Sequence, residues 1–178
     1  MVIGYKEAKQ GMTTLFLPPG TPAPAFRATA VGTERVFSTR DHQGAPILLI
    51  FLDANTSRTV RDVVRGIRLE YPDPTTVMVA NVIDLRIVPK LLRGTVKGMM
   101  KSALKEARRE IPAGFNPDDH LILLPDWSGQ ISDAYRVPSV SRQVALVNID
   151  GNGRVHGFYQ GPNPQQAALD LINQVITP

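Results

Sequence analysis

Ile47-Leu-Leu-Ile-Phe-Leu-Asp-Ala-Asn-Thr-Ser-Arg-Thr-Val-Arg61 passes from one hydrophobic pattern to another. Ile47–Leu52 is apolar at every position, which predicts a strand buried on both faces, as in a sheet with helices on either side. Asp53–Thr59 is small and polar. From Val60 onward, Val60, Val63, Val64 and Ile67 share one stripe of a helix that runs to about Leu69, with Thr56 or Ser57 as its N-cap. Pro72-Asp-Pro74 stops that helix. A buried strand feeding a loop and a helix N-terminus is a common place for chemistry. Backbone N–H groups and the helix dipole point outward there, so Asn55, Thr56, Ser57, Arg58, Thr59 and Arg61 are candidates for holding an anion or ligand. The same residues also make an ordinary helix cap with solvated arginines.

Working outward, Thr75–Ile83 is β-branched and apolar and reads as a second buried strand. His120–Leu124 is a third strand and Val144–Ile149 a fourth. Asp150-Gly-Asn-Gly153 contains Asn-Gly, a strong hairpin signal, and Arg154–Tyr159 returns as an antiparallel partner. Upstream, Phe26–Val36 holds a short strand or hairpin around Gly32, Phe37–Gly44 is a loop with a turn at Gly44, and Pro46 opens the central strand. Pro112–Asp119 is a turn-rich link and Ser128–Tyr135 a short helix or turn. Asn163 caps a last helix with Pro164 at its first position, burying Ala168, Leu171, Ile172, Val175 and Ile176. Residues 1–19 read as an irregular N-terminal arm and 20–178 as one domain. Helices alternate with apolar strands before a hairpin adds an antiparallel edge. The fold class is therefore α/β, a three-layer sandwich with a mixed central sheet.

The totals restrict the chemistry. The chain has 178 residues, 43% of them hydrophobic and 20% charged, enough to bury a real core. It contains no cysteine, which removes disulfides, thiolate catalysis and zinc–thiolate sites. No apolar run approaches the roughly 20 residues that span a bilayer, so the chain is not transmembrane. The first residues lack a basic start followed by an apolar stretch, and a cytoplasmic address is expected. Asp53, Asp84, Asp126 and Asp150 lie at or near strand ends, where Asp usually shapes turns. With His42, His120 and His156 they show no metal-ligand spacing, and no histidine is placed as a base for a Thr or Ser nucleophile. No catalytic residue, metal or cofactor is expected.

Pro89–Glu110 stands apart. Arg86 to Arg109 holds eight bases and one acid in a chain whose total charge is only +4, so the remainder is mildly acidic. Arg93, Lys97, Lys101, Lys105 and Arg109 recur every four residues as a basic ridge, with Lys90 and Arg108 beside it. Leu92, Val96, Met99, Met100 and Ala103 form an apolar stripe opposite, predicted to pack on the sheet. Gly94 and Gly98 weaken this helix by about 1 kcal/mol each relative to Ala. Such a helix suits an anionic membrane surface or an acidic protein partner, or it is a packed helix with a solvated basic face. Nucleic acid is disfavoured because the element has no aromatics for base stacking.

Four segments in order resemble the thioredoxin-like superfamily, in its peroxiredoxin or redoxin (AhpC/TSA-type) branch. Gly20-Thr-Pro-Ala-Pro-Ala-Phe26 is similar to the opening segment of those proteins, and His42-Gln-Gly-Ala-Pro-Ile-Leu-Leu-Ile-Phe51 to their loop into the first central strand. Leu124-Pro-Asp-Trp-Ser-Gly-Gln-Ile-Ser-Asp-Ala-Tyr135 resembles the segment before their closing hairpin, and Val144–Val155 the hairpin itself. The resemblance covers about residues 20–176, with the helix at about 89–110 as an enlargement. It implies that the two redox cysteines of a Cys-x-x-Cys motif would fall on Thr56 and Thr59. The family's cis-proline would fall near Gln143 or Val144, and neither is proline. The nucleophile is thus absent, and the chain looks closer to cysteine-free bacterial members of the superfamily.

Three readings follow from the sequence. The first is a non-catalytic thioredoxin-fold binding or scaffold protein. The second is a redoxin-like antioxidant oxidoreductase acting without its own thiol or through a partner. The third is a peripheral binder of an anionic membrane or acidic partner through the basic helix.

Overall fold

The computed structural model describes residues 16–42 and 44–176. Most of the arm expected over 1–19, and Gln43 in the expected loop, lie outside these.

The apolar run becomes the strand it predicts. A hairpin of β1 (Arg27–Thr29) and β2 (Val36–Ser38) comes first, and β3 (Ile47–Leu52) follows with every residue buried. Then come α1 (Ser57–Glu70), β4 (Met78–Asp84), α2 (Arg93–Ala107), α3 (Pro117–His120), β5 (Ile122–Asp126), α4 (Gln130–Ala134), β6 (Ala145–Ile149), β7 (Val155–Gln160) and α5 (Pro164–Ile176). The main sheet has the order β5-β4-β3-β6-β7. β3, β4 and β5 are parallel, while β6 and β7 run antiparallel to their neighbours. A central β3 explains why no position in it is polar.

Alternate residues of β3 serve two cores. Leu48, Ile50 and Leu52 pack with Val60, Val63 and Ile67 of α1 and Ala168, Leu171 and Ile172 of α5. Ile47, Leu49 and Phe51 pack on the other side with Phe37, Ile131, Tyr135 and Val140. Val64, Val175 and Ile176 are only half-buried. The Asn148 amide, buried in β6, donates to the Leu171 carbonyl at 2.7 Å and ties α5 to the sheet. The Tyr135 hydroxyl donates to the Pro24 carbonyl at 2.9 Å, and burial pushes its pKa well above the usual phenol value.

The second face of the sheet is covered by the β1–β2 hairpin and α4, not by the long helix. Val31 N–H donates to the Leu123 carbonyl at 2.9 Å, which docks the hairpin beside β5. α2 buries one residue, Leu104, whose side chain meets Gly32 in the hairpin turn. The stripe predicted for α2 holds only at Val96 and Met100, which are half-buried, and fails at its other three positions. Leu92 and Met99 are 52% and 67% exposed, and Ala103 is exposed too. The face turned inward runs through Arg93, Val96, Lys97, Met100 and Leu104, and continues to Arg108 in the 3-10 turn that follows. Leu104 and the contacts of Arg93 with Trp127 and of Lys97 and Lys101 with Glu34 lie on or beside this face.

Smaller differences have local causes. Phe37 and Ser38 belong to β2, and Thr39–His42 forms a 3-10 turn where a loop was expected. Asp73 accepts from Thr75 N–H and hydroxyl at 2.8 and 2.7 Å, so β4 begins only at Met78. His120 ends α3 instead of starting a strand: it is buried, with its ring nitrogens 3.3 and 3.1 Å from the carbonyls of Asn116 and Pro72.

Candidate functional site

The loop after β3 is closed on itself. Asp53 Oδ1 accepts from the backbone N–H groups of Asn55 and Thr56 at 2.8 and 3.2 Å. These are donors that the sequence offered to an external anion. The protein supplies its own carboxylate there, so the helix dipole of α1 is already answered by a negative charge. Ser57 Oγ donates to the Ala54 carbonyl at 3.0 Å.

Thr56 is the N-cap residue of α1, but its side chain does not cap. It is 4% exposed. Its hydroxyl accepts from Asp53 N–H at 3.1 Å and lies 3.3 Å from the Val140 carbonyl. Val140 is itself buried in the core. The segment facing the start of α1 is therefore Ser139–Ser141, nearer in sequence to Pro138 than Gln143 or Val144 is. No cis peptide bond occurs among the described residues.

The other candidates here diverge. Asn55, Ser57, Arg58, Thr59 and Arg61 are exposed. Thr59 lines a cleft of about 370 Å³ with Asp62, Val63 and residues 162–166 at the start of α5. Thr56 and Thr59 thus do not share an accessible surface: one is sealed under Val140 and the other opens to solvent.

The basic helix is largely spoken for. Lys97 and Lys101 reach Glu34 Oε1 at 3.5 and 3.4 Å. Glu34 holds φ at +54° in the hairpin turn, a conformation uncommon outside glycine. A hydrogen bond from Lys101 and the charge of Lys97 hold its carboxyl below the ordinary value. Arg93 lies over the Trp127 ring, 5.2 Å from its centroid, and donates to the Trp127 carbonyl at 3.3 Å. Arg108 pairs with Asp118, and Arg109 with Glu106 at 2.8 Å. Among the described residues, Lys90 and Lys105 have no carboxylate partner.

A second cleft of about 350 Å³ lies beside α2, lined by Arg27, Lys97, Trp127 and Gln130 among others. Asp126 forms part of its wall and is 3% exposed; it accepts from the Ser132 N–H and hydroxyl, both at 2.9 Å. These residues come from β1, α2 and the β5–α4 junction, and nothing in the local sequence marks them as neighbours. The four strand-end aspartates do act as turn formers. Asp84 accepts from Arg86 N–H at 3.1 Å and Asp150 from Asn152 N–H at 2.9 Å. Among the described residues no group of three acidic or histidine side chains is arranged for a metal ion, and no helix is long and apolar enough to cross a membrane.

No family model matches the sequence, and no curated protein does. Solved structures do match. A DsbE-like thiol:disulfide interchange protein from Chlorobium tepidum superposes with a TM-score of 0.64 at 21% identity, over 90% of this chain and 99% of that one. The exposed lipoprotein thioredoxin Etrx1 of Streptococcus pneumoniae gives 0.61 at 19% identity, over 85% and 99%. The thioredoxin domain of a thiol-disulfide oxidoreductase from Bacteroides vulgatus gives 0.55 at 15% identity, over 88% and 99%. Likeness at such identities speaks for the backbone and not for the activity. With its mixed five-stranded sheet between two packed faces, this cysteine-free chain has the thioredoxin-like α/β fold.

Proposed function

We propose that this chain is a thioredoxin-fold binding protein with no thiol chemistry of its own. The observation that carries the reading is Thr56. A redox site needs a nucleophile at the top of α1 that can reach a substrate. Here that position is a hydroxyl, buried and hydrogen-bonded between Asp53 and Val140. The neighbouring backbone donors are filled by Asp53 as well. What is left for function is surface, and the fold serves as a rigid support for it. The peroxiredoxin or redoxin branch is part of this proposal, supported by the order of the four sequence segments. So is the cytoplasmic address, which fractionation of the producing cells tests.

The direct test is reduction of insulin disulfides by dithiothreitol, with and without the protein. The rate is expected to stay at the background rate. Acceleration comparable to that of a thioredoxin overturns the reading, as does consumption of hydrogen peroxide by purified protein free of added thiols.

A further inference from the structure

Four large apolar side chains lie uncovered on α2 and on the connection that leads into it. Ile87 and Leu91 are 92% and 96% exposed, and Leu92 and Met99 are 52% and 67% exposed. Three of these four lie in the connection from β4 to α2. Ile87 sits in a turn closed by Val88 N–H donating to the Leu85 carbonyl at 3.0 Å, and Leu91 in the 3-10 turn Lys90–Leu92. Turn centres ordinarily carry Gly, Asn, Asp or Ser. An isoleucine and a leucine projecting there contribute almost nothing to the core. The two clefts described above leave all four residues out.

The charge around them selects an occupant. Lys90 lies between Ile87 and Leu91 in sequence, and Lys105 lies farther along α2; both are exposed and lack carboxylate partners among the described residues. Lys97 and Lys101 remain 43% and 50% exposed despite their contact with Glu34. The only acid within α2, Glu106, is occupied by Arg109. A second copy of this chain would bring the same unpaired lysines against these and be repelled. A rigid protein partner would need a pocket shaped to each projecting side chain. A fluid anionic bilayer conforms to the projections and meets lysines at its headgroups.

We propose that Ile87, Leu91, Leu92 and Met99, with Lys90 among them, form a surface that inserts shallowly into an anionic lipid bilayer. The proposal rests on the reading of the chain as a binding protein and names what it binds. It differs from the ridge of Arg93, Lys97, Lys101, Lys105 and Arg109 that the sequence pointed to, because all of these but Lys105 already have partners in the fold.

The test is co-sedimentation with vesicles of phosphatidylcholine alone and of phosphatidylcholine mixed with phosphatidylglycerol, at low and at physiological salt. Binding is expected to the mixed vesicles only, and to weaken as salt rises. Ile87→Asp with Leu91→Asp should lower it by about tenfold or more, and Lys90→Glu should weaken it and reduce its salt dependence. All three side chains are exposed, so the variants should keep the wild-type far-ultraviolet circular dichroism and melting temperature. No binding of folded wild type to mixed vesicles at low salt overturns the proposal. So does binding that the Ile87→Asp, Leu91→Asp variant retains in full. A wild-type dimer that this variant converts to monomer assigns the surface to a second copy and overturns it as well. Each of these results leaves the insulin assay at background, whereas failure of the binding-protein reading shows in that assay whatever the vesicles do.

Discussion

The Thr56 hydroxyl lies 3.3 Å from the carbonyl oxygen of Val140, eighty-four residues away, and joins the start of α1 to the segment before β6. The family resemblance of the sequence would set one of a pair of redox cysteines at Thr56. Here that position is fastened to Val140. Thr56→Val keeps the shape and removes the hydroxyl, stranding Asp53 N–H and the Val140 carbonyl in a buried setting. It should cost about 1–3 kcal/mol, while Thr56→Ser restores most of that. Urea unfolding of the three proteins measures both.

Asp53 stands where an anion would otherwise sit. Asp53→Ala frees the N–H groups of Asn55 and Thr56 and should lower stability by about 0.5–2 kcal/mol, the usual range for a lost cap. The variant should also become more sensitive than wild type to phosphate, which can reoccupy the vacated donors next to Arg58 and Arg61. Melting temperatures in phosphate and in chloride at matched ionic strength read this out. Equal phosphate effects on the two proteins would show that the carboxylate does not screen the site.

Much of this was legible in the sequence, and the boundary has a physical cause. Ile47–Leu52, the Asn152-Gly153 hairpin and Pro164 follow from local rules of periodicity, turn chemistry and helix initiation, and they appear where those rules put them. The strand-end role of Asp53 was legible too. The closure of Thr56 was not, because it depends on Val140, a residue brought near only by folding. The rotation of α2 was hidden for the same reason. Periodicity identifies an apolar and a basic side of a helix, but not which one finds partners. Glu34, Asp118 and Trp127 decide that, and none belongs to α2.

Glu34 gives the docking of α2 a pH dependence with a definite sign. Its carboxyl is held below the ordinary 4.5, first by its hydrogen bond from Lys101 and then by the charges of Lys97 and Lys101. A carboxylate with a depressed folded pKa stabilises the fold at pH values above the unfolded pKa, and the contribution fades as pH falls through the folded one. The melting temperatures of wild type and Glu34→Gln should therefore differ by a constant amount near neutral pH and converge in acid. The difference should also shrink in high salt, since the ion pairs are exposed. A gap that persists in acid would place the effect of Glu34 in its backbone conformation.

Gly129 tests how tightly the β5–α4 junction is built. Its φ is +79°, and an added Cβ would come within 2.2 Å of Arg86 Cδ. Arg86 at that position bridges Asp84 at 2.7 Å and Asp133 at 3.0 Å. Burial tends to raise the Asp84 carboxyl, but the hydrogen bonds from Arg86 outweigh it and hold the pKa below its ordinary value. Gly129→Ala must both accept a left-handed conformation and push Arg86 aside. It should cost about 1–3 kcal/mol for the backbone strain alone. Combining it with Arg86→Ala removes the clash but not the strain, so the double variant should be more stable than the sum of the two single losses predicts. Urea unfolding of the four proteins gives that coupling, and strict additivity would mean that the arginine moves away without cost.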